Sequence, residues 1–315
     1  MAERKAARAQ GRELIFPLVP ARRSARLDVA GLPSRRRGSG SEVASSRPYR
    51  RGDAVKLVDW RASARLSTAL ASDEFVVRDR FADDAARLLL VVDRSPSMAL
   101  FPADLPWLHK PDVVREASRM IVGSGQAAHA LLGFAEHGAE GPVFEHPRRD
   151  RTVARIIERR LAATTGDGPD GGLDGMLELL ARSTLDIPSG TFAFVLSDFL
   201  RPPGRAAWRS MLASGWDVVP VVVQDPRWEQ SFPDVANVAL PLVDPRTGAP
   251  ALVRLRPSEA AARRAANEER LRTLRDAFFE LGVDPVLLSR ADTGAIHAAF
   301  LSWAKRRSAW MRRVR

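Results

Sequence analysis

Leu88-Leu89-Leu90-Val91-Val92-Asp93-Arg94-Ser95-Pro96-Ser97-Met98 is the stretch from which the rest of the chain can be read. An apolar run stops abruptly at an aspartate, and two serines follow at alternate positions. Such a run, bounded by turn residues, predicts a strand buried on both faces of a sheet. Its end lies at the sheet's rim, where Asp93, Ser95 and Ser97 can aim three oxygens at one point. Three hard oxygens with one formal charge suit a divalent cation that keeps some water and takes its last ligand from a partner. The reading is a cation-dependent binding site, not a catalytic centre.

Outward from this stretch, strand-like and helix-like patterns alternate from about residue 85. Strands are expected at 88–92, 131–135, 143–145, 191–196, 217–223 and 286–288. Helices are expected at 112–130, 152–163, 173–183, 204–214, 259–281 and 293–307, and residues 238–242 and 251–255 flank a hairpin-like turn. The alternation predicts an α/β fold: a doubly wound, mostly parallel sheet covered on both faces. The strand at 191–196 also ends near an aspartate, Asp198. Ligands in such sheets bind beyond the carboxyl ends of strands, where the strand order reverses. The first and fourth strands are neighbours there in the usual order, so Asp93 and Asp198 are expected to converge at one edge.

The chain has 315 residues, 45% of them hydrophobic, and no cysteine. That length holds one large domain or somewhat more. Without cysteine, disulfide frameworks, thiolate metal sites and cysteine nucleophiles are excluded. No run of eighteen apolar residues is present, and the start lacks the apolar core of a secretory signal. A cytoplasmic protein is expected. The net charge of +11 is uneven: residues 1–51 hold 13 Lys/Arg against 4 Asp/Glu, and residues 305–315 hold 6 Lys/Arg and no acid. Basic ends of this kind meet nucleic acid, anionic lipid or an acidic partner, or are simply solvated. Aromatic residues are sparse in the basic clusters, Tyr49 and Trp310 aside, which weakens a base-stacking mode.

Four segments are expected. Residues 1–46 form a basic, partly disordered N-terminal segment, with 33–46 read as a flexible loop and 14–19 as a short strand or hydrophobic latch. Residues 47–84 form a β-rich module, 85–304 the α/β domain and 305–315 a basic tail.

Enzyme chemistry has little support. The five histidines form no zinc-type pair, no Gly-x-Ser-x-Gly elbow surrounds a serine, and the glycine-rich stretch 166–172 is not followed by Gly-Lys-Ser/Thr. That stretch reads as a loop shaping the rim of the site.

Asp93, Ser95, Ser97 and Asp198 resemble the adhesion motif of the von Willebrand factor A-type fold. That motif has Asp-x-Ser-x-Ser after the first strand and an aspartate after the fourth. The resemblance implies a Rossmann-type architecture and a bound Mg²⁺, with Mn²⁺ or Ca²⁺ as alternatives. It also implies a threonine at the start of a helix, but the matching segment, 171–177, has Gly171 in that slot. Asp170, Thr164 and Thr165 are the candidates to supply the missing oxygen. Upstream, Arg47, Tyr49, Gly52 and Asp53, then Asp59, Trp60, Ser63 and Arg65, resemble the signature of the bacterial domain-of-unknown-function family fifty-eight. The similarity covers about residues 45–300. Members of that family carry a von Willebrand A-like domain just downstream, and the resemblance implies a MoxR-type AAA+ ATPase as partner.

The signature also has a reading without the family. Gly52-Asp53 is a turn dipeptide. Asp59 is near enough to Arg61 and Arg65 to hold one in a charge-assisted pair, and Trp60 is a large apolar anchor. A brace between module and sheet, or direct partner contact, are the two roles open to it. The function expected is a non-enzymatic, metal-dependent protein-interaction module whose partner offers an acidic ligand. The alternative is nucleic-acid or anionic-surface binding through the basic ends.

Overall fold

The computed structural model describes residues 14–21, 37–49, 58–70, 75–81, 86–100, 108–149, 151–162, 166–182, 185, 187–235, 237–244 and 249–313. The chain divides into two compact units, one of Arg23–Ala86 and the other of Met1–Arg22 with Arg87–Arg315. Gly52, Asp53, Thr164 and Thr165 lie outside the described residues.

In the smaller unit, strands β1 (Arg37–Pro48) and β2 (Val76–Phe81) pair antiparallel, with register shifts between Gly38 and Ser45. Part of the stretch read as loop is therefore strand, and its loop-like Gly/Ser composition shows instead as irregular pairing. Helix α1 (Trp60–Leu70) follows β1, so the module is mixed rather than purely β. Asp59 accepts the Ala62 amide at 3.2 Å, satisfying one of the helix's free N–H groups. Buried Ser63 donates to the Asp59 carbonyl at 2.7 Å and accepts the Val76 amide at 2.9 Å, tying α1 to β2.

The larger unit is built on six strands: β3 (Arg87–Val92), β4 (Leu131–Gly138), β5 (Gly141–Arg148), β6 (Phe192–Ser197), β7 (Asp217–Val223) and β10 (Val286–Leu288). Their order is β10-β7-β6-β3-β4-β5, parallel throughout except for β5 at one edge. Helix α2 (Lys110–Ala127) packs against both α3 (Arg151–Ala162) and α7 (Thr293–Arg313), and α4 (Gly172–Leu180) packs against α5 (Arg205–Ala213). The remaining long helix is α6 (Pro257–Leu281), and β8 (Val238–Val243) pairs with β9 (Pro250–Leu255) as a separate hairpin.

The pleat of β3 sorts its apolar run. Leu89 and Val91 join the core with Leu177, Trp208 and Phe278, while the intervening residues serve the opposite layer. In β6, Phe194 packs against Phe300 and Trp303 of α7. This two-sided burial is why the run is unbroken rather than alternating.

Residues 14–21 are a latch rather than a strand. Phe16 stacks on Phe300 with ring centroids 4.4 Å apart, and its amide donates to Ser124 Oγ. The closing helix continues past its expected end to Arg313, as its Ala, Lys and Arg content permits. Arg307 is buried there, donating to the Val19 carbonyl and to Asp217 Oδ1. One residue of the expected basic tail is thus structural. Among the described residues, no helix is long and apolar enough to cross a membrane.

Candidate functional site

β3 and β6 are parallel neighbours, so their carboxyl ends emerge side by side, and the Asp93 amide donates to the Leu196 carbonyl at 2.9 Å. From that edge Asp93, Ser95, Ser97 and Asp198 all line one open cleft of about 480 Å³. The convergence expected of the two aspartates is what the sheet produces.

The residues after β3 are held in place by their own backbone. Asp93 Oδ1 accepts the Ser95 amide at 2.8 Å, and a 3₁₀ turn at Pro96–Ala99 follows. Met98, wholly buried, anchors that turn, and its sulfur accepts the Asp198 amide at 3.2 Å. The turn leaves the Ser95 and Ser97 hydroxyl oxygens 3.2 Å apart. Asp93 Oδ2 accepts from Ser197 Oγ at 2.6 Å. Burial pushes the Asp93 carboxyl above the usual carboxylate range; the Ser197 bond works against this and the nearby charge of Asp198 adds to it. Among the described residues, no three His, Cys, Asp or Glu side chains gather as a metal-holding group. The candidate donors are therefore the two carboxylates and the two hydroxyls.

Two groups that the sequence does not announce complete the site. Lys110, the first residue of α2, is wholly buried. Its ammonium donates to Asp198 Oδ2 at 2.8 Å, to the Ser97 carbonyl at 3.0 Å and to Glu229 Oε1. It thus bonds both halves of the site. Burial alone would lower its pKa, but the carboxylates of Asp198 and Glu229 outweigh that and hold the ammonium protonated. Burial pushes Glu229 upward. Yet Oε1 accepts from Lys110 and Oε2 from the Asp225 amide, the pattern of an ionised carboxylate. Asp225 organises a turn after β7: it accepts the amides of Leu108, Arg227 and Trp228. The only sequence signal for this cluster is a third acidic segment, Asp225 to Glu229, just after a third buried strand.

The rim also departs from expectation in detail. Gly171 lines the cleft, as placed, in a left-handed conformation (φ 77°) at the start of α4. A β-carbon there would meet nothing within 4 Å. Asp170 lies in the same lining but is paired with Arg201 at 3.0 Å. Of the signature, Ser63 is buried and Asp59 half-buried, whereas Tyr49, Trp60 and Arg65 are exposed. Arg47 lies opposite Val77 in the β1–β2 register.

The glycine-rich rim loop is held by close backbone contact. The Gly168 amide donates to the Arg94 carbonyl at 2.8 Å. A β-carbon on Gly168 would stand 2.3 Å from the His137 carbonyl oxygen and 2.9 Å from that of Arg94. Gly168→Ala is therefore expected to cost about 1–3 kcal/mol as backbone is forced apart, measured by urea denaturation.

Beside the cleft a second buried charge group ties Arg94 to Asp167 at 3.1 Å and Arg160 to Glu136 at 3.1 Å. Burial pushes the Glu136 carboxyl up, despite Arg94 and Arg160. The folded state therefore holds the Glu136 proton to higher pH than the unfolded chain, and this group's contribution falls as pH rises between the two pKa values. The stability of Glu136→Gln relative to wild type should accordingly increase from pH 4 towards neutrality in urea titrations. A pH-independent difference would contradict this account.

Residues 45–274 match the family described as "Protein of unknown function DUF58". The chain belongs to that family. It is 30% identical over 209 residues to uncharacterized protein Rv1480 of Mycobacterium tuberculosis and to Mb1516 of Mycobacterium bovis, covering 64% of this chain. The match spans 61% of the length of those relatives. Among solved structures, an aerotolerance-related membrane protein from Bacteroides fragilis is 16% identical, covering 70% of this chain and all of that one, with a TM-score of 0.43. The PilB minor pilin of Streptococcus sanguinis is 12% identical, covering 75% of this chain and 64% of that one, with a TM-score of 0.37.

Proposed function

We propose that the chain is a non-enzymatic, metal-dependent protein-interaction module with a von Willebrand A-like body. In this reading it serves as an adaptor for a MoxR-type AAA+ ATPase in assembly or chaperone-like work. The observation that carries the proposal is the pair of serine hydroxyls, 3.2 Å apart, in one cleft with the Asp93 and Asp198 carboxylates.

The donor chemistry fits a hard divalent cation. Asp93, Ser95 and Ser97 would hold Mg²⁺, and Mn²⁺ or Ca²⁺ in its stead, with Asp198 adding charge beside them. Carboxylate oxygens that already accept one hydrogen bond keep a second lone pair. Asp93, Asp198 and Glu229 bring three negative charges, against Lys110 and the nearby Arg270, which donates to the Glu229 carbonyl, so the ionised cluster keeps a net negative charge. When bound, the ion supplies a Lewis-acidic position open to a carboxylate of the partner. Ser95 and Ser97 are preset for this by the turn that Met98 anchors. Lys110 fixes the Ser97 backbone relative to Asp198. Gly171 offers no side-chain oxygen, which leaves that part of the rim open.

Calorimetric Mg²⁺ titration tests the site. The wild-type protein is expected to bind and to gain about 2.7 kcal/mol of stability at a hundredfold excess over Kd. Asp93→Ala and Ser95→Ala/Ser97→Ala should lose both effects. Retention of the MoxR-type ATPase on the immobilised protein should require Mg²⁺ and Asp93. Equal retention in EDTA, or with Asp93→Ala, would sink the metal-bridged adaptor.

A further inference from the structure

Within the smaller unit the signature separates into an internal part and a presented part. Buried Ser63 ties α1 to β2, and half-buried Asp59 caps that helix. Tyr49 and Trp60 are 40% and 60% exposed, and Phe75 joins them at 44%. The three rings form one cluster. Phe75 meets Tyr49 edge-on at 6.4 Å and Trp60 at 6.1 Å. Arg61, Ala64, Arg65 and Thr68 are exposed on the same helix that begins at Trp60, at the spacing of a single face. That helix carries two arginines and no acidic residue.

We propose that Tyr49, Trp60 and Phe75, with the exposed Arg61 and Arg65 of the helix that Trp60 begins, form a docking surface for an acidic protein segment that carries an apolar anchor. Three exposed rings in mutual contact form a contiguous apolar patch, the kind of surface that marks an interaction site. Trp, Tyr and Arg are the residues that dominate protein–protein hot spots. Their chemistry selects the partner: the rings accept an apolar side chain, and two guanidinium groups one turn apart pair with carboxylates. The ring arrangement speaks against nucleic acid. Bases need open, parallel ring faces, whereas Tyr49 and Trp60 stand at 71° and 85° to Phe75.

The test uses the full chain and fluorescence anisotropy of a labelled peptide with a central leucine flanked by Asp and Glu. Its Asn/Gln counterpart, a single-stranded oligonucleotide and phosphatidylserine-containing vesicles serve as competing probes. The acidic peptide is expected to bind best, and to weaken as salt rises. Trp60→Ala should lower its affinity about thirtyfold, and Arg61→Glu/Arg65→Glu about tenfold or more. Arg61 and Arg65 are exposed, so the double variant's melting temperature should stay at the wild-type value. Phe279→Ser, an exposed apolar residue of α6, should leave binding unchanged. The proposal is overturned if the acidic peptide fails to bind, if the amide peptide binds equally well, or if the variants bind like wild type. Preferential binding of the oligonucleotide or the vesicles, abolished by the same variants, would assign the surface to nucleic acid or membrane instead.

Discussion

Lys110→Met should destabilise the larger unit by about 3–5 kcal/mol, the cost typical of leaving buried charges without their partner. Lys110 is wholly enclosed, and its ammonium is shared between Asp198 and Glu229. Methionine fills similar volume, so the loss is electrostatic rather than a cavity. For a unit of this size the change corresponds to a melting temperature lower by roughly 6–20 °C. The double-neutralised background separates this cause from simple mispacking. Lys110→Met/Asp198→Asn/Glu229→Gln removes one positive and two negative charges together, and should recover most of the loss. Equal instability of the single and triple variants, measured by urea unfolding, would show that packing rather than charge governs the site's foundation.

Phe16→Ala should be nearly as costly, about 3–5 kcal/mol by the range for deleting a buried ring. The segment carrying it is short, and its grip depends on few contacts. Phe16 is 4% exposed, stacked on Phe300 and edge-on to Phe194 and Trp303. Leu18 is buried beside it in sequence, and the Ala21 amide donates to Asp217 Oδ2 at 2.7 Å. Release of the latch would expose Arg307, which reaches both Val19 and Asp217. Hydrogen exchange at the Phe16 and Ala21 amides should accelerate together in Phe16→Ala, while the β3 and β6 amides keep their protection. Phe16→Leu, which keeps apolar bulk, should lose under half as much. Unchanged protection of residues 16–21 would refute the latch.

These two predictions concern residues that local sequence patterns treat very differently. Phe16 sits in an apolar run, Leu14 to Val19, which marks the segment for burial, although Leu14 and Ile15 stay exposed while Phe16 and Leu18 are buried. Lys110 is a charged residue ahead of a proline, in a position where solvent exposure is the ordinary expectation. Its burial arises because helix α2 starts where the ends of β6 and β7 bring Asp198 and Glu229 together. Neither carboxylate is near Lys110 in sequence, so no spacing records the triad. The same holds for Glu136 and Arg160, which meet only because α3 lies beside β4.

Local chemistry along the chain was enough to establish the two-sided sheet, the abrupt strand ends at Asp93 and Asp198, and the oxygen-bearing turn between Asp93 and Met98. Those features depend on period, burial and turn formation over a few residues, and such forces act between neighbours. Folding added what depends on distant segments: the lysine that cements the site, the left-handed Gly171 at its rim, the pairing of Asp170 with Arg201, and the inward and outward division of the signature. Charges and rings gain their roles from desolvation and contact, and those exist only after strands far apart in the chain have been set edge to edge.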